Sequence, residues 1–355
     1  MRALPGLLAL TVTALAVWWL LPHDATVHEP SPAPFTATPQ SWAYTSSMNI
    51  ARRAFTMAAN DRYVYAIGGI DSDGRYVATT EYAAYLDNGE LSPWRLTASL
   101  QLPRFYLGAV VVADWIYAIG GATGPRGDDN VPSATVERAR ILPDGALSAW
   151  EQVAPLTSPR RGLQTVAAGN TVYALGGYNG VFLRNAEYAL IQPDGTLSAW
   201  QHHDSDAHVE RYMHAAASNA HAVFLVAGHV VGVGSGHADI EIAAITPQQR
   251  LAPWSVGTPR LPSGRFLACA AADDTLLAVI GGHDGTRQLA SVEVTSLRGG
   301  SQPGHWRAGP SLNSARSAAA AVRIGNSLIV GGGALGDTAL STVEIIPLRA
   351  LRSSP

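Results

Sequence analysis

The chain has 355 residues, enough for one large repeat fold or for two or three ordinary domains. Its formal net charge of −3 gives no global reason to expect a nucleic-acid partner. The single cysteine, Cys269, excludes an intrachain disulfide framework and a cysteine-rich metal site, and its apolar surroundings predict a buried side chain. The 35 glycines and 22 prolines interrupt short apolar runs, a pattern that indicates many short strands.

The N-terminal segment is predicted to reach a membrane. Residues 3–21 carry no charge and, as a helix, would nearly match a bilayer core of about 30 Å. A signal peptide cleaved at the small–x–small site of residues 14–16 stays open as an alternative. That cleavage would expose Trp18 and Trp19, which suit the membrane–water interface, so residues 1–21 are interpreted as an uncleaved anchor. Residues 22–39, with five prolines, then form an extended linker.

From residue 40 onward the chain repeats a unit of about fifty residues. In each unit a strand ends in a pair of small residues: Gly68-Gly69, Gly120-Gly121, Gly176-Gly177, Ala227-Gly228, Gly281-Gly282 and Gly331-Gly332. An arginine lies 12 or 13 residues before the first residue of the five-residue motif that ends in each pair, which is Tyr65 in the first unit: Arg53, Arg104, Arg161, Arg211, Arg265 and Arg316. A glutamate follows each pair after a variable loop: Glu81, Glu137, Glu187, Glu241, Glu293 and Glu344. The first five units end in a tryptophan: Trp94, Trp150, Trp200, Trp254 and Trp306.

Each unit is predicted to form four strands, a to d. In the first unit these are residues 53–59, 63–68, 79–86 and 91–96, with the hairpin signal Asp87-Asn88-Gly89 between c and d. The double glycine is expected where neighbouring backbones approach too closely for a side chain. No helix is predicted after residue 40.

This arrangement of arginine, double glycine, glutamate and closing tryptophan resembles the kelch repeat, over residues 40–349. The resemblance implies an all-β, six-bladed β-propeller of four-stranded blades, assigned to residues 40–352. The sixth unit has no fourth strand and no tryptophan, whereas Trp42 stands unclaimed before the first arginine. We therefore expect the N-terminal strand to complete the last blade and close the ring.

The order of strands places the d–a and b–c connections on one face, and we expect recognition there because the b–c loops vary. The six arginines begin beside that face. They are candidates to bind an anion or an acidic loop, or else to pair with the six glutamates and fix the blade packing. The b–c loop of the second blade adds Arg126 and Asp128, a mixed-charge tip.

Histidines concentrate in the fourth blade, where His203 and His208 precede strand a, and His229 and His237 belong to the b–c loop. With neighbouring aspartates they could form a binding surface or a zinc site, or they could serve as ordinary polar residues. His214 and His221 are expected to pack within the blade. No metal ligand set or cofactor is predicted.

Recognised catalytic motifs are not found in the sequence. We therefore expect a non-enzymatic protein-interaction or scaffold module on the periplasmic side of a bacterial inner membrane, as an accessory subunit of a membrane complex. The bacterial origin is suggested by the fact that all 24 basic residues are arginine. Two alternatives stay open: a carbohydrate enzyme resembling N-acetylneuraminate epimerase, by architecture alone, and a glycan-binding lectin that uses Tyr76, Tyr178 and Phe182.

Overall fold

Six antiparallel sheets, each of four strands, surround a central channel and form the blades of a propeller. The computed structural model describes residues 41–124, 130–229 and 234–352, all within the unit Pro39–Pro355. The predicted anchor and linker therefore lie outside the described residues. In the described ranges, no helix is long and apolar enough to cross a membrane.

The strands follow the chain in the order that the repeat predicts. The first strand, β1, and those of blades 1 to 3 are β1 Ala43–Thr45, β2 Thr56–Ala59, β3 Tyr63–Ile67, β4 Thr80–Ala84, β5 Arg95–Thr97, β6 Gly108–Val112, β7 Trp115–Ile119, β8 Ala122–Thr123, β9 Val131–Pro132, β10 Val136–Arg140, β11 Glu151–Val153, β12 Gln164–Ala168, β13 Thr171–Tyr178, β14 Phe182–Leu190 and β15 Gln201–His202. The elements of blades 4 to 6 are β16 Ala215–Ser218, β17 Ala222–Val226, β18 Ile240–Ala244, β19 Ser255–Gly257, β20 Cys269–Ala272, β21 Leu276–Ile280, β22 Val292–Arg298, β23 Gln302–Gly309, β24 Ala320–Ile324, β25 Ser327–Gly331, β26 Ala334–Leu335, β27 Thr338–Ala339, β28 Val343–Pro347 and α1 Leu348–Arg352. The pairs β8–β9 and β26–β27 are small hairpins within the b–c connections of blades 2 and 6.

The a strands form a closed inner ring, because each contacts the a strand of the next blade and β24 contacts β2. A buried apolar cluster lies between each two neighbouring blades, six in the described structure. The b strands are covered on both faces, which explains why they read as uninterrupted apolar runs. No blade could bury both of its faces alone.

The N-terminal strand closes the ring, as the unclaimed tryptophan predicted. Strand β1 pairs antiparallel with β28 and becomes the d strand of blade 6. Trp42 is buried, and its Nε1 donates to the carbonyl oxygen of Pro310 at 2.9 Å. The tryptophans at residues 94, 150, 200 and 306 make the same kind of bond to the preceding blade. Trp42 therefore supplies the contact that the sixth unit lacks.

The chain continues beyond blade 6 in a helical turn that the sequence did not predict. Helix α1, five residues long, follows β28 directly, and its Leu348 and Leu351 pack into the core between blades 5 and 6. Arg307 donates to the carbonyl oxygen of Leu351, and Arg352 pairs with Asp273. A helix this short has no sequence periodicity to recognise, and its stability comes from these tertiary contacts.

The small-residue pairs lie where the backbones of neighbouring blades approach, as expected. A Cβ added at Gly68 would lie 2.6 Å from the carbonyl oxygen of Arg104, in the next blade, and Gly68 has φ of +65°. In the sixth unit the predicted pair is wrong by one residue. Gly332 and Gly333, not Gly331 and Gly332, have the positive φ angles and the contacts of the other pairs. The run of three glycines made both registers compatible with the sequence.

Candidate functional site at the mouth of the channel

Six buried arginines, one in each blade, form the internal frame of the propeller. Each donates from Nη1 to the carbonyl oxygen of the residue 16 positions later, the first member of the small-residue pair. Each also forms an ion pair with the strand-c glutamate of its own blade, at 2.5 to 3.4 Å. We call them the frame arginines: Arg52, Arg104, Arg160, Arg211, Arg265 and Arg316.

The frame glutamates are also fixed on their other side. Glu187, for example, accepts hydrogen bonds from the backbone N–H groups of Thr157 and Ser158. Burial lowers the pKa of Arg160 from its ordinary value, and Glu187 opposes that shift. Each frame pair therefore ties strand a to strand c and to the connection entering the blade, and it is not available to a ligand.

Two of the predicted arginines are not part of this frame. In blades 1 and 3 the buried ion pair belongs to Arg52 and Arg160, not to Arg53 and Arg161. The sequence offers two adjacent arginines in each case, and a spacing of 12 or 13 residues admitted either one. With the doublets corrected and the sixth glycine pair moved by one residue, the frame arginine lies 16 residues before the first member of the small-residue pair in all six blades. Arg104, Arg211, Arg265 and Arg316 do belong to the frame.

The residues two positions after the frame arginines close a ring of hydrogen bonds around the channel. Each backbone N–H donates to the carbonyl oxygen of its counterpart in the preceding blade, at 2.7 to 3.2 Å, and the last blade bonds to the first. All six have φ between +50° and +60°. They are Ala54, Tyr106, Gly162, Met213, Leu267 and Ala318. This ring is built from backbone atoms, so its geometry leaves the side chains free to differ.

The residues one position after the frame arginines surround that ring. Each forms a backbone bridge with the residue that follows the small-residue pair, in the same way in all six blades. The bridged pairs are Arg53–Ile70, Phe105–Ala122, Arg161–Tyr178, Tyr212–His229, Phe266–His283 and Ser317–Ala334. These pairs, with the six residues of the hydrogen-bonded ring, define what we call the mouth, on the face of the d–a and b–c connections. A constant backbone that carries different side chains is typical of a recognition surface.

Aromatic side chains extend across one side of the mouth in an unbroken series of contacts. Successive ring centroids are 4.4 to 6.3 Å apart, from Tyr76 through Phe105, Tyr106, Tyr212 and Tyr178 to Phe182. We call this series the aromatic belt. The sequence singled out Tyr76, Tyr178 and Phe182 but missed Phe105, Tyr106 and Tyr212. The signal that could have found them is their position one or two residues after a frame arginine.

The channel beneath the mouth is narrow and lined by small side chains. It encloses a cavity of about 130 Å³ between the a strands, with alanines along most of its wall, and one of about 50 Å³ at the mouth itself. Cys269 lies on this wall and is buried, as predicted, and burial raises the pKa of its thiol to about 12. Ligand pockets usually enclose about 300–1,000 Å³. The channel itself is therefore a poor fit for a small-molecule substrate.

The histidines of blade 4 are divided between separate internal contacts. His203 has its ring nitrogens 2.9 Å and 3.0 Å from the carbonyl oxygens of Ser205 and Leu251. His208 Nδ1 lies 2.9 Å from the carboxylate of Glu241. In blades 1 and 6 the equivalent glutamate accepts a hydrogen bond from an asparagine side chain at this position. His229 packs with its ring 5.1 Å from that of Phe266, at the mouth.

His237 lies close to an ion-pair cluster that is particular to blade 4. Arg211 pairs with Asp239 as well as Glu241, and His237 Nδ1 is 3.8 Å from Asp239. Burial lowers the pKa of His237, although Asp239 opposes the shift. Within the described ranges, no group of three or more histidine, cysteine, aspartate or glutamate side chains is arranged to hold a metal ion.

The two histidines expected to pack within blade 4 occupy different environments. His214 is fully buried, and neither of its ring nitrogens has a hydrogen-bond partner among the described residues. Burial lowers its pKa to about 3, so it is neutral at physiological pH. His221 rests on Gly300 of the next blade, where an added Cβ would lie 2.1 Å from its ring. Arg126 and Asp128 lie outside the described residues, in the connection between β8 and β9.

Comparison with known proteins gives relatives of modest identity. Beta-scruin of Limulus polyphemus is 31% identical over 140 residues, which cover 38% of this chain and 14% of the relative. Kelch repeat and BTB domain-containing protein 12 of Danio rerio is 28% identical over 140 residues, which cover 39% of this chain and 22% of that relative. Kelch-like protein 7 of Rattus norvegicus is 34% identical over 90 residues, which cover 25% of this chain and 14% of that relative. The matched part of the chain thus spans less than a quarter of the length of these relatives. No family model matches the sequence.

Among solved structures, that of YjhT superposes on this chain with a TM-score of 0.66 and a sequence identity of 14%. The superposition covers 84% of this chain and 95% of the YjhT chain. At that identity the likeness concerns the fold alone. The relatives that share the sequence signal carry kelch repeats, and here the same unit recurs six times on one arginine–glutamate frame. The chain is a six-bladed β-propeller, and its kelch-repeat relatives support its assignment to the kelch-repeat β-propellers.

Proposed function

We propose that this protein is a non-enzymatic recognition module that binds another protein at its mouth. The contrast within the two arginine doublets carries the proposal. Arg52 and Arg160 are neutralised inside the frame, whereas Arg53 and Arg161 stand at the mouth and have no carboxylate partner among the described residues. Arginine and aromatic side chains are the residue types that dominate binding energy at protein interfaces.

The shape and chemistry of the mouth support a protein ligand over a carbohydrate substrate. An enzyme of the kind considered above would need arginine and glutamate side chains that converge on a central pocket without pairing. Here the repeated arginines and glutamates pair with one another, and the cavity at the mouth is about 50 Å³. Kelch-repeat relatives that carry further domains, such as the BTB domain in the name of one of them, also fit a role in assembly.

Loss of mouth side chains should weaken capture of the native partner by at least about tenfold. We would replace Arg53, Tyr178 and Phe182 with alanine together, because all three are only partly buried and none belongs to the frame. The matched control replaces Arg62, Arg140 and Leu142 on the opposite face, each of them exposed. The measurement is quantitative recovery of one identified partner from detergent-solubilised membranes, with the melting temperature of each variant checked first.

The two triple variants decide between the faces. If the opposite-face variant loses the partner while the mouth variant keeps it, the binding surface has been assigned to the wrong side. If a neutral glycan competes with the partner at the mouth, the glycan-binding alternative replaces the protein-binding one.

We further propose that residues 1–21 anchor the module to the periplasmic side of a bacterial inner membrane, beside a membrane complex that it serves as an accessory subunit. The support is the uncharged stretch of residues 3–21, with Trp18 and Trp19 at its end, followed by the proline-rich linker. The intact mass of the protein isolated from its native membrane should correspond to a chain that retains residues 1–21 in full. A mature N-terminus at or after Val17 would eliminate the anchor.

A further inference from the structure

We propose that Asn179, in the b–c loop of blade 3 at the mouth, is a site of spontaneous deamidation, because the structure leaves both groups that react there free. The loop lies between β13 and β14 and joins Tyr178 to Phe182. Deamidation turns one amide of the mouth into a carboxylate after the chain has folded. It needs no enzyme, and it does not depend on what the mouth binds.

The reaction takes place within a single Asn-Gly step of the chain. After losing its proton, the backbone nitrogen of Gly180 attacks Cγ of Asn179. The N–Cγ bond forms, the Cγ–Nδ2 bond breaks, and the side-chain nitrogen leaves as ammonia. Water then opens the resulting succinimide ring at either of its two carbonyl groups, which gives aspartate or isoaspartate. A glycine in the second position favours ring closure, because it has no Cβ to hinder the approach.

The chain contains six steps in which asparagine or aspartate precedes glycine, and five of them are restrained at the glycine. The six steps begin at Asp73, Asn88, Asp144, Asn179, Asp194 and Asp284. In all except the step at Asn179, the glycine N–H donates a hydrogen bond within its own turn, at 2.8 to 3.0 Å. These bonds hold the nitrogen and its proton in place, so the turn must open before the nitrogen can attack.

The side chains of the same five steps are held as well. Asn88 is held at both ends of its amide, since Oδ1 accepts a hydrogen bond from the backbone N–H of Glu90 and Nδ2 donates to the Glu90 carboxylate, both at 3.0 Å. Rotation of such a side chain toward the glycine nitrogen breaks these bonds. The other four accept a hydrogen bond or form an ion pair through the carboxylate: Asp73, Asp144, Asp194 and Asp284.

Asn179 and Gly180 lack both restraints. Among the described residues, the side chain of Asn179 has no hydrogen-bond partner and the N–H of Gly180 has no acceptor. Gly180 is exposed, and a Cβ added there would have no heavy atom within 4 Å. The backbone N–H of Asn179 donates to the carbonyl oxygen of Val181 at 3.2 Å, a bond that leaves the reacting atoms free. The side-chain amide can therefore turn toward the Gly180 nitrogen without losing a hydrogen bond.

Deamidation at Asn179 changes the charge and the backbone of the mouth at one point. Both products add a negative charge beside Tyr178, over whose ring the guanidinium of Arg161 lies with its Cζ 5.2 Å from the centroid. Isoaspartate also carries the main chain through its side chain, which lengthens the loop by one methylene. The ends of this loop are paired as Tyr178 and Phe182, whose rings are 5.3 Å apart. An aged molecule therefore presents a mouth that differs from that of a new one.

Peptide mapping of aged wild-type protein tests the proposal, with Asn88 as the internal control. The purified full-length protein is incubated in mildly alkaline buffer, sampled over weeks, digested at acidic pH and analysed by mass spectrometry. We expect the Asn179 peptide to gain about one dalton, as a mixture of aspartate and isoaspartate, at least about tenfold faster than the Asn88 peptide. The rate should rise with pH, because the attacking nitrogen must lose its proton. In protein unfolded with guanidinium chloride, the two peptides should react at similar rates.

The comparison of folded and unfolded protein separates the effect of structure from that of sequence. Equal rates at Asn179 and Asn88 in the folded protein would overturn the proposal, since the restraints at Asn88 would then have no effect. An Asn179 that keeps its amide in the folded protein and loses it only after unfolding would overturn it as well. The Asn179→Gln variant should keep the mass of this peptide, because its longer side chain closes a ring more slowly. A gain in mass that persists in this variant would show that another residue reacts.

Discussion

Replacing Arg160 with glutamine should destabilise the propeller by about 3–5 kcal/mol, whereas the same replacement at Arg161, the next residue, should cost no more than about 1 kcal/mol. Arg160 is fully buried, pairs with Glu187 at 2.5 Å and donates to the carbonyl oxygen of Gly176. Its loss leaves the Glu187 carboxylate buried without its counter-charge and removes the side-chain link between strands a and c. The side chain of Arg161 makes a single hydrogen bond, to Asn130, and its stacking contacts in the described structure. Urea denaturation of both variants measures the difference.

A third variant shows whether the loss at Arg160 comes from the unpaired charge. Replacing Arg160 with methionine and Glu187 with leucine together removes both charges and keeps most of the volume. This double variant should be clearly more stable than either single one, since a buried ion pair often breaks even with apolar residues. Equal destabilisation by the Arg160→Gln and Arg161→Gln variants would show that the frame has been assigned to the wrong member of the doublet.

Replacing Trp42 with alanine should destabilise the propeller by about 3–5 kcal/mol, the usual cost of removing a large buried aromatic side chain. Trp42 is 3% exposed, packs between blades 5 and 6, and bonds to Pro310. Tyr44, two residues later in β1, is 54% exposed and provides the matched control. The Tyr44→Ala variant should stay within about 0.5 kcal/mol of the wild type in the same denaturation experiment.

Deleting residues 36–48 should cost at least as much as the Trp42 substitution, because it also leaves β28 as an unpaired edge. A deletion variant that melts at the wild-type temperature would contradict closure by β1, and an equal loss from the Tyr44 and Trp42 substitutions would show that the burial of Trp42 contributes nothing.

The propeller could be predicted from the sequence because its signal is repeated. One arginine, one glycine pair or one glutamate would have been weak, but the same order recurs in every blade and constrains the fold jointly. The errors occurred where the sequence duplicates a residue within the signal. Arg52-Arg53, Arg160-Arg161 and Gly331-Gly332-Gly333 each admit two registers. The burial of one arginine decides each doublet, and the positive φ angles of Gly332 and Gly333 decide the glycine run.

The candidate site could be predicted only in part, for a related reason. A repeat shows what is constant, and the residues of the mouth are those that differ among blades. Tyr106 and Tyr212 carry no motif of their own, and they meet only because the backbone ring brings blades 2 and 4 together. The histidines of blade 4 are numerous in the sequence and therefore suggested a binding surface. In the structure, His203 and His208 contact groups of the protein itself, Leu251 and Glu241.

Closure of the ring by β1 also sets the order in which the protein can be assembled. Ala43 is synthesised before any blade exists, yet its partner, Ile345, follows about 300 residues later. Blades 1 to 5 contain all four of their strands in continuous sequence and can form as the chain is made, whereas blade 6 must wait for both ends. Bringing such distant segments together carries a loop-closure entropy cost that only the completed ring recovers, so formation of the last blade is expected to be slow relative to the others. Until then β28 presents an open strand edge, and that interval is when the nascent protein is most exposed to pairing with another chain.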